Sequence, residues 1–104
     1  MAQIAIVWST KAIQQVEHIA DYIALDSPYH AKRVVALIRR AARRLKKFPE
    51  SGAIVPELRH RNPTIREIHV FSYRILYHWQ SDLRQIHILG VIHGRQLLDD
   101  SALV

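Results

Sequence analysis

The sequence predicts an α+β fold with the element order β-α-α-β-β-β, in which a small antiparallel sheet carries an N-terminal helical hairpin packed on one face. Two observations predict it. Between residues 10 and 47 the apolar residues recur with a helical period, whereas from Ile65 to Ile92 they form extended runs. A chain of 104 residues has the size of one domain, so we expect a single domain over residues 1–104.

The first predicted element is a strand over Ile4–Trp8, a short β-branched and aromatic run. Ser9 follows it and has the residue type that caps a helix N-terminus. The helix that begins there has an apolar stripe at helical spacing, formed by Ala12, Val16, Ile19 and Ile23.

A second helix is predicted from Pro28 to Lys47, with Ser27 as its cap. It ends before Pro49, because the residue that precedes a proline is disfavoured in the α conformation. The short break at Ser27 makes the two helices a hairpin.

Three further strands are predicted over Ile65–Phe71, Tyr73–Gln80 and Gln85–Ile92. The breaks between them are short, which favours an antiparallel meander. Before them lies a loop rich in proline, in which Val55–Leu58 is expected to form a short additional extended piece.

The chain contains no cysteine, which excludes disulfides, thiolate nucleophiles and cysteine-based zinc sites. The absence of cysteine fits a reducing compartment. The early apolar run Ile4–Trp8 is too short for a signal peptide or a membrane span. We therefore expect a cytoplasmic protein that does not bind a membrane.

Positive charge is concentrated on the second predicted helix. The chain has 15 Lys and Arg against 9 Asp and Glu, and the stretch from Lys32 to Lys47 holds eight of the basic residues and no acidic one. Such a face can follow phosphates, dock an acidic partner or simply be solvated, and we favour a partner role because the cations repel one another. Aromatic residues do not alternate with these cations, which weakens the case for single-stranded nucleic acid. The candidate anion-binding residues are Arg33, Arg39, Arg40, Arg43, Arg44 and Lys47.

Seven histidines raise the question of a metal site. No H-E-x-x-H motif occurs, and no two histidines lie four residues apart on either helix. His69, His78 and His87 fall on three successive predicted strands, where ordinary, partly exposed histidines are the favoured interpretation. We expect no metal and no cofactor.

The remaining candidate chemistry is metal-free cleavage of RNA, since no G-x-S-x-G motif or comparable activated serine is present. Such cleavage needs a base, an acid and cations beside the phosphate. Arg66, Arg74, His93 and Arg95 form one conceivable set. The alternative, which spacing alone favours, is that Arg66 and Arg74 are sheet-surface charges paired with Glu67 or Glu57.

The order of these elements resembles the RelE/ParE toxin superfamily, and its ParE or plasmid stabilisation branch in particular. The resemblance covers nearly the whole chain and depends on several short pieces together. These are Val7-Trp8-Ser9, Tyr22-Ile23 before Ser27-Pro28, Phe48-Pro49-Glu50-Ser51-Gly52, Ile65-Arg66-Glu67-Ile68, Tyr73-Arg74-Ile75-Leu76-Tyr77 and the segment from Ile88 to Arg95.

This resemblance implies the toxin of a type II toxin–antitoxin pair, which a ParD-like antitoxin wraps and neutralises through an acidic segment. Operator DNA would be bound only through the toxin–antitoxin complex. ParE-like members poison DNA gyrase, whereas RelE-like members cut mRNA on the ribosome, and one fold carries both.

The resemblance also bears on the choice between these targets. RelE-type nucleases carry lysines after the helices and a tyrosine near the C-terminus, whereas here Ser51–Val70 has no lysine and no tyrosine follows Tyr77. We therefore favour a non-enzymatic gyrase poison that contacts its target through Arg66, Arg74, His93 and Arg95. The alternatives are a metal-independent endoribonuclease using Arg66, Arg74 and His93, and a non-toxic module that binds nucleic acid.

Overall fold

The computed structural model of the chain describes residues 3–96 as two helices and one five-stranded sheet. The helices are α1 (Thr10–Ala24) and α2 (Pro28–Arg44), and the strands are β1 (Ala5–Trp8), β2 (Ala53–Ile54), β3 (Ile65–Val70), β4 (Tyr73–Gln80) and β5 (Gln85–His93). The strands lie in the order β1-β5-β4-β3-β2. The predicted α+β fold with its helical hairpin is confirmed.

Strand pairing agrees with the predicted meander but adds one feature. β3, β4 and β5 pair antiparallel, whereas β1 pairs with β5 in parallel. The sheet is therefore mixed, and the prediction that it is antiparallel throughout was wrong in this respect. β5 begins at the end of the sheet where β1 begins, since Gln85 lies beside Ala5. The two strands therefore run in the same direction.

Both predicted helix caps are present. The Ser9 hydroxyl accepts a hydrogen bond from the Ala12 N–H at 3.0 Å, and the Ser27 hydroxyl accepts one from the His30 N–H at 3.1 Å. α2 ends at Arg44 and not at Lys47, because the next three N–H groups bond to carbonyls only three residues back. The chain keeps turning to Lys47, but in a tighter geometry.

The loop before β3 differs from the prediction. The short strand is Ala53–Ile54, and Pro56–Leu58 forms a 3₁₀ turn where an extended piece was expected. Val55 and Leu58 are both fully buried, and a turn brings them to the same side, which an extended chain does not do at a spacing of three residues. β3 and β5 differ from their predicted ends by one residue, and Phe71 lies in the turn after β3.

Each face of the sheet has its own apolar core. The larger core lies between the helical hairpin and one face, and includes Ile38 of α2, Ile75 and Tyr77 of β4, and Ile88 of β5. The smaller one lies under the 3₁₀ turn on the other face, around Leu76. Within residues 3–96, no helix is long and apolar enough to cross a membrane.

Candidate functional site

The basic face of α2 is divided into two stripes that face different neighbours. At 100° per residue, Lys32, Arg39, Arg43 and Lys46 fall on the side of α1 and β1, and we call them the groove stripe. Arg33, Arg40 and Arg44 fall on the side of β3, and we call them the strand-side stripe. All seven side chains are exposed, as is Lys47 in the turn that follows α2. Among residues 3–96, none of these eight cations has an ion pair.

The groove stripe borders an apolar groove between the two helices and the sheet edge. This groove has a volume of about 390 Å³ and is lined by Trp8 of β1, Val35 and Arg39 of α2, and four residues of α1, which are Ile13, Val16, Glu17 and Ala20. Ile13 is 45% exposed although it is strongly apolar. A second concavity continues from Arg39 toward Pro28. Such a groove suits the apolar face of a partner helix.

Arg74, a predicted target contact, is buried in a charge cluster. Its guanidinium forms two hydrogen bonds to the Glu57 carboxylate at 2.7 and 2.8 Å, and its Nε donates to Glu67 at 3.0 Å. Only 5% of Arg74 is exposed. The hydrogen bonds that Arg74 donates to Glu57 raise the pKa of Arg74 further above its already high value. The structure therefore supports the pairing with Glu57 and Glu67 that the spacing favoured.

Arg66 has a different environment. Its guanidinium donates to the Gly52 carbonyl at 2.8 Å and to the Glu50 carbonyl at 3.3 Å. These bonds tie β3 to the loop after α2 and leave the side chain partly exposed. The predicted pairing of Arg66 with a glutamate is not found, because backbone carbonyls take its donors.

His93 and Arg95, the other predicted target contacts, lie together at the end of β5. Both are exposed. The His93 ring packs edge-on against Tyr73 with centroids 5.9 Å apart, and its Nδ1 accepts the Arg95 N–H at 3.2 Å. The Gly94 N–H donates to the Ser72 carbonyl, which fixes this segment against the turn between β3 and β4.

The sheet separates the predicted nuclease residues. Arg66 is registered with Tyr77 and Arg74 with Ile92, so Arg66 is on the face of the helical hairpin and Arg74 on the opposite face. His93 is registered with Tyr73, four positions along β4 from Tyr77, which is about 13 Å at 3.3 Å per residue. The three residues do not converge on one phosphate.

Of the three strand histidines, two are direct neighbours. His78 and His87 are registered opposite each other, whereas His69 lies opposite Arg74 and bonds Glu67 at 2.8 Å. His87 in turn bonds Gln85 at 2.8 Å. In the described part of the chain, no three His, Asp or Glu side chains lie where they could hold a metal ion.

Sequence reasoning missed one residue at the other edge of α2. Phe71 was assigned to a strand, but it occupies the first position of a two-residue turn with φ of 53° and is 59% exposed. It borders the strand-side stripe in a shallow groove with Arg40 and Arg44. The predicted strands left only Ser72 between them, and this was the available signal, since the shortest common hairpin loops have two residues and require unusual backbone angles.

Comparison with known proteins gives consistent matches along the chain. A family model described as ParE toxin of type II toxin–antitoxin system, parDE, matches residues 6–98. Toxin RelE2 of Caulobacter vibrioides is 30% identical over 97 residues, which cover 93% of this chain and 100% of that protein. The putative toxin Y4kP of Sinorhizobium fredii is 32% identical over 97 residues, covering 92% of this chain and 94% of that protein.

Two solved structures share the fold. The chromosomal ParDE toxin–antitoxin system from P. aeruginosa matches with a TM-score of 0.70 and 21% identity, over 88% of this chain and 96% of that chain. The toxin–antitoxin complex RelBE2 from Mycobacterium tuberculosis matches with a TM-score of 0.67 and 19% identity, over 88% of this chain and 99% of that chain.

Proposed function

The chain belongs to the ParE toxin family of type II toxin–antitoxin systems, and from this we propose that it inhibits DNA gyrase and so blocks replication. A ParD-like antitoxin keeps it inactive. It binds operator DNA only as part of that complex. The toxin acts by binding, without metal or cofactor.

The observation that carries this proposal is the separation of Arg66, Arg74 and His93. A nuclease mechanism requires an acid, a base and cations around one phosphate. Here Arg66 and Arg74 are on opposite faces of the sheet, and the guanidinium of Arg74 is held by two carboxylates. A gyrase poison requires only an exposed contact surface, which His93 and Arg95 provide.

The burial of the four residues supports a narrower proposal for the target contacts. Arg74 is too buried to reach a partner, so we assign it a positioning role. Its guanidinium donates to the Gln96 carbonyl at 3.2 Å, which holds the segment that carries His93 and Arg95. Arg66 is partly exposed and remains a candidate contact with the target.

For the antitoxin, we propose the apolar groove as the main docking site. An amphipathic helix can place its apolar side chains against Trp8, Ile13 and Val35, while its acidic residues meet the groove stripe. The candidate anion-binding residues then have separate roles. Arg39 and Arg43 face the antitoxin, and Arg33, Arg40, Arg44 and Lys47 lie outside the groove.

The test is a supercoiling assay with purified toxin, DNA gyrase, plasmid and ATP. We expect loss of supercoiling and accumulation of linear DNA. A His93→Ala/Arg95→Ala variant should lose about tenfold or more in potency, because charged contacts at interfaces are worth about 1.5–3 kcal/mol. Arg59→Ala/His60→Ala removes the same residue types from an exposed turn and serves as the matched control.

Two results would overturn the proposal. One is folded toxin that leaves gyrase unaffected while it cuts mRNA on ribosomes, which would make the chain a nuclease. The other is a chain that binds nucleic acid but is harmless when over-expressed without an antitoxin, which would make it a non-toxic binding module.

A further inference from the structure

We propose that the strand-side stripe and Phe71 form a binding surface for single-stranded nucleic acid. Arg40 and Arg44 contact successive phosphates, and the Phe71 ring stacks on an unpaired base. This surface is separate from the antitoxin groove, and its argument does not depend on gyrase as the target.

The first observation is the shape of the surface. A groove of about 320 Å³ runs between α2 and the turn after β3. Leu37, Arg40, Ala41 and Arg44 form its helical wall, and His69, Val70 and Phe71 form the other. Arg40 and Arg44 are one helical turn apart, so their side chains are adjacent along the groove.

The second observation is the charge of the groove. Arg40 and Arg44 are exposed, and neither has an acidic partner among residues 3–96. The carboxylate of Glu67, the nearest acidic group on β3, is already held by Arg74 and His69. Two adjacent uncompensated cations are therefore available to bind phosphate.

The third observation is the conformation of Phe71. Its φ of 53° is in the left-handed region, where a side chain is strained and glycine is favoured. Phe71 is 59% exposed, so the strain is not offset by burial in the core. An exposed aromatic ring on a strained turn, beside two free cations, is a suitable stacking platform.

The turn also connects the groove to the end of β5. Ser72, which follows Phe71, accepts the Gly94 N–H, and this contact holds the neighbouring exposed Arg95 beside the same turn.

The combination favours a single strand over the other possible occupants. Duplex DNA offers phosphates, but its bases are stacked and their faces are closed to Phe71. An acidic peptide would satisfy the arginines without using the exposed ring. Only an unpaired strand offers both a phosphate chain and free base faces.

The test is fluorescence anisotropy of the purified chain with a labelled oligo-dT of roughly 12 nucleotides, and with the corresponding duplex, across a series of salt concentrations. We expect tighter binding of the single strand. Arg40→Ala/Arg44→Ala should reduce the slope of log K against log salt by about 1.4, which corresponds to two phosphate contacts. Arg39→Ala/Arg43→Ala removes the same charge from the groove stripe, and we expect a smaller reduction.

Phe71 variants separate stacking from folding. Phe71→Gly suits the turn conformation and removes the ring, so it should fold normally and weaken oligo-dT binding roughly 5- to 150-fold. Phe71→Trp should retain binding. The proposal is overturned if Phe71→Gly binds oligo-dT like the unmodified chain, or if the two arginine pairs have equal effects. It is also overturned if a poly-glutamate peptide binds as tightly as oligo-dT, since the groove would then be a site for acidic peptides.

Discussion

Tyr77 links the loop after α2 to the centre of the sheet. Its side chain is fully buried, its hydroxyl donates to the Pro49 carbonyl at 2.8 Å, and the same oxygen accepts the Gly52 N–H at 2.9 Å. A Cβ at position 52 would approach the Tyr77 hydroxyl oxygen to 2.7 Å, so only glycine fits there. This hydroxyl therefore joins Pro49 and Gly52, which flank the loop segment to which Arg66 donates.

Removing the Tyr77 hydroxyl should destabilise the fold. Tyr77→Phe leaves the Gly52 N–H and the Pro49 carbonyl without their partner, at a cost of about 1–3 kcal/mol in the free energy of unfolding. Urea denaturation of the two proteins at neutral pH measures the difference. Equal midpoints and equal slopes of the two unfolding curves would show that the hydroxyl contributes nothing to the free energy of unfolding.

The same pair of proteins has a predicted pH dependence. Burial raises the pKa of Tyr77 above its ordinary value of 10.0. The stability that Tyr77 contributes is therefore fully present below pH 10.0, and it is lost as the pH rises from there through the folded-state pKa. The stability difference between the unmodified chain and Tyr77→Phe should be constant from about pH 8 to about pH 9 and should be smaller at about pH 11. A difference at about pH 11 that equals the one at about pH 8 would contradict the assignment.

At the scale of elements, the Arg74 cluster joins parts of the chain that are far apart in sequence. Arg74 of β4 binds Glu57 of the 3₁₀ turn, Glu67 of β3 and the carbonyl of Gln96 beyond β5. The cluster thus closes the smaller core and fixes the end of β5. The 3₁₀ turn was unexpected from sequence because its geometry depends on these long-range contacts.

Breaking this cluster should lower the free energy of unfolding substantially. Arg74→Met leaves the buried Glu67 carboxylate without its cation, which typically costs about 3–5 kcal/mol. Arg66→Met removes only hydrogen bonds to two carbonyls at a partly exposed site, and it should cost clearly less. Thermal denaturation of both variants tests the ranking, and an Arg74→Met protein as stable as Arg66→Met would contradict it.

At the scale of the whole molecule, α2 has a core-facing side and two basic stripes, and each stripe borders a different groove. The groove stripe adjoins an apolar groove, whereas the strand-side stripe adjoins an exposed aromatic turn. In our two proposals, this helix contacts an antitoxin through one stripe and a nucleic acid strand through the other, so substitutions in one stripe should leave the other site intact.

Charge reversal on the two stripes should separate antitoxin binding from other functions. Arg39→Glu/Arg43→Glu places acidic groups beside the groove. It should lower the affinity for the co-expressed antitoxin by about 10- to 100-fold and make that affinity less dependent on salt. Arg40→Glu/Arg44→Glu makes the same change of charge away from the groove, and we expect a smaller effect. Calorimetry at low and moderate salt measures both. Equal losses for the two variants would show that only net charge matters.

The sequence by itself determined the helical hairpin, both serine caps, the meander and the position of the basic helix. These features depend on local patterns, since apolar periodicity, capping residues and short breaks act within a few residues. Ser9 and Ser27 cap their helices as predicted, and the meander runs from Ile65 to His93 with one-residue differences at its strand ends.

The tertiary structure decided which side chains share a surface. Strand register places Arg66 and Arg74 on opposite faces, and only the packing of α2 against β3 brings Phe71 beside Arg40 and Arg44. The parallel pairing of β1 with β5 also joins residues about 80 positions apart. Such contacts between distant segments depend on long-range packing, which residue periodicity does not encode.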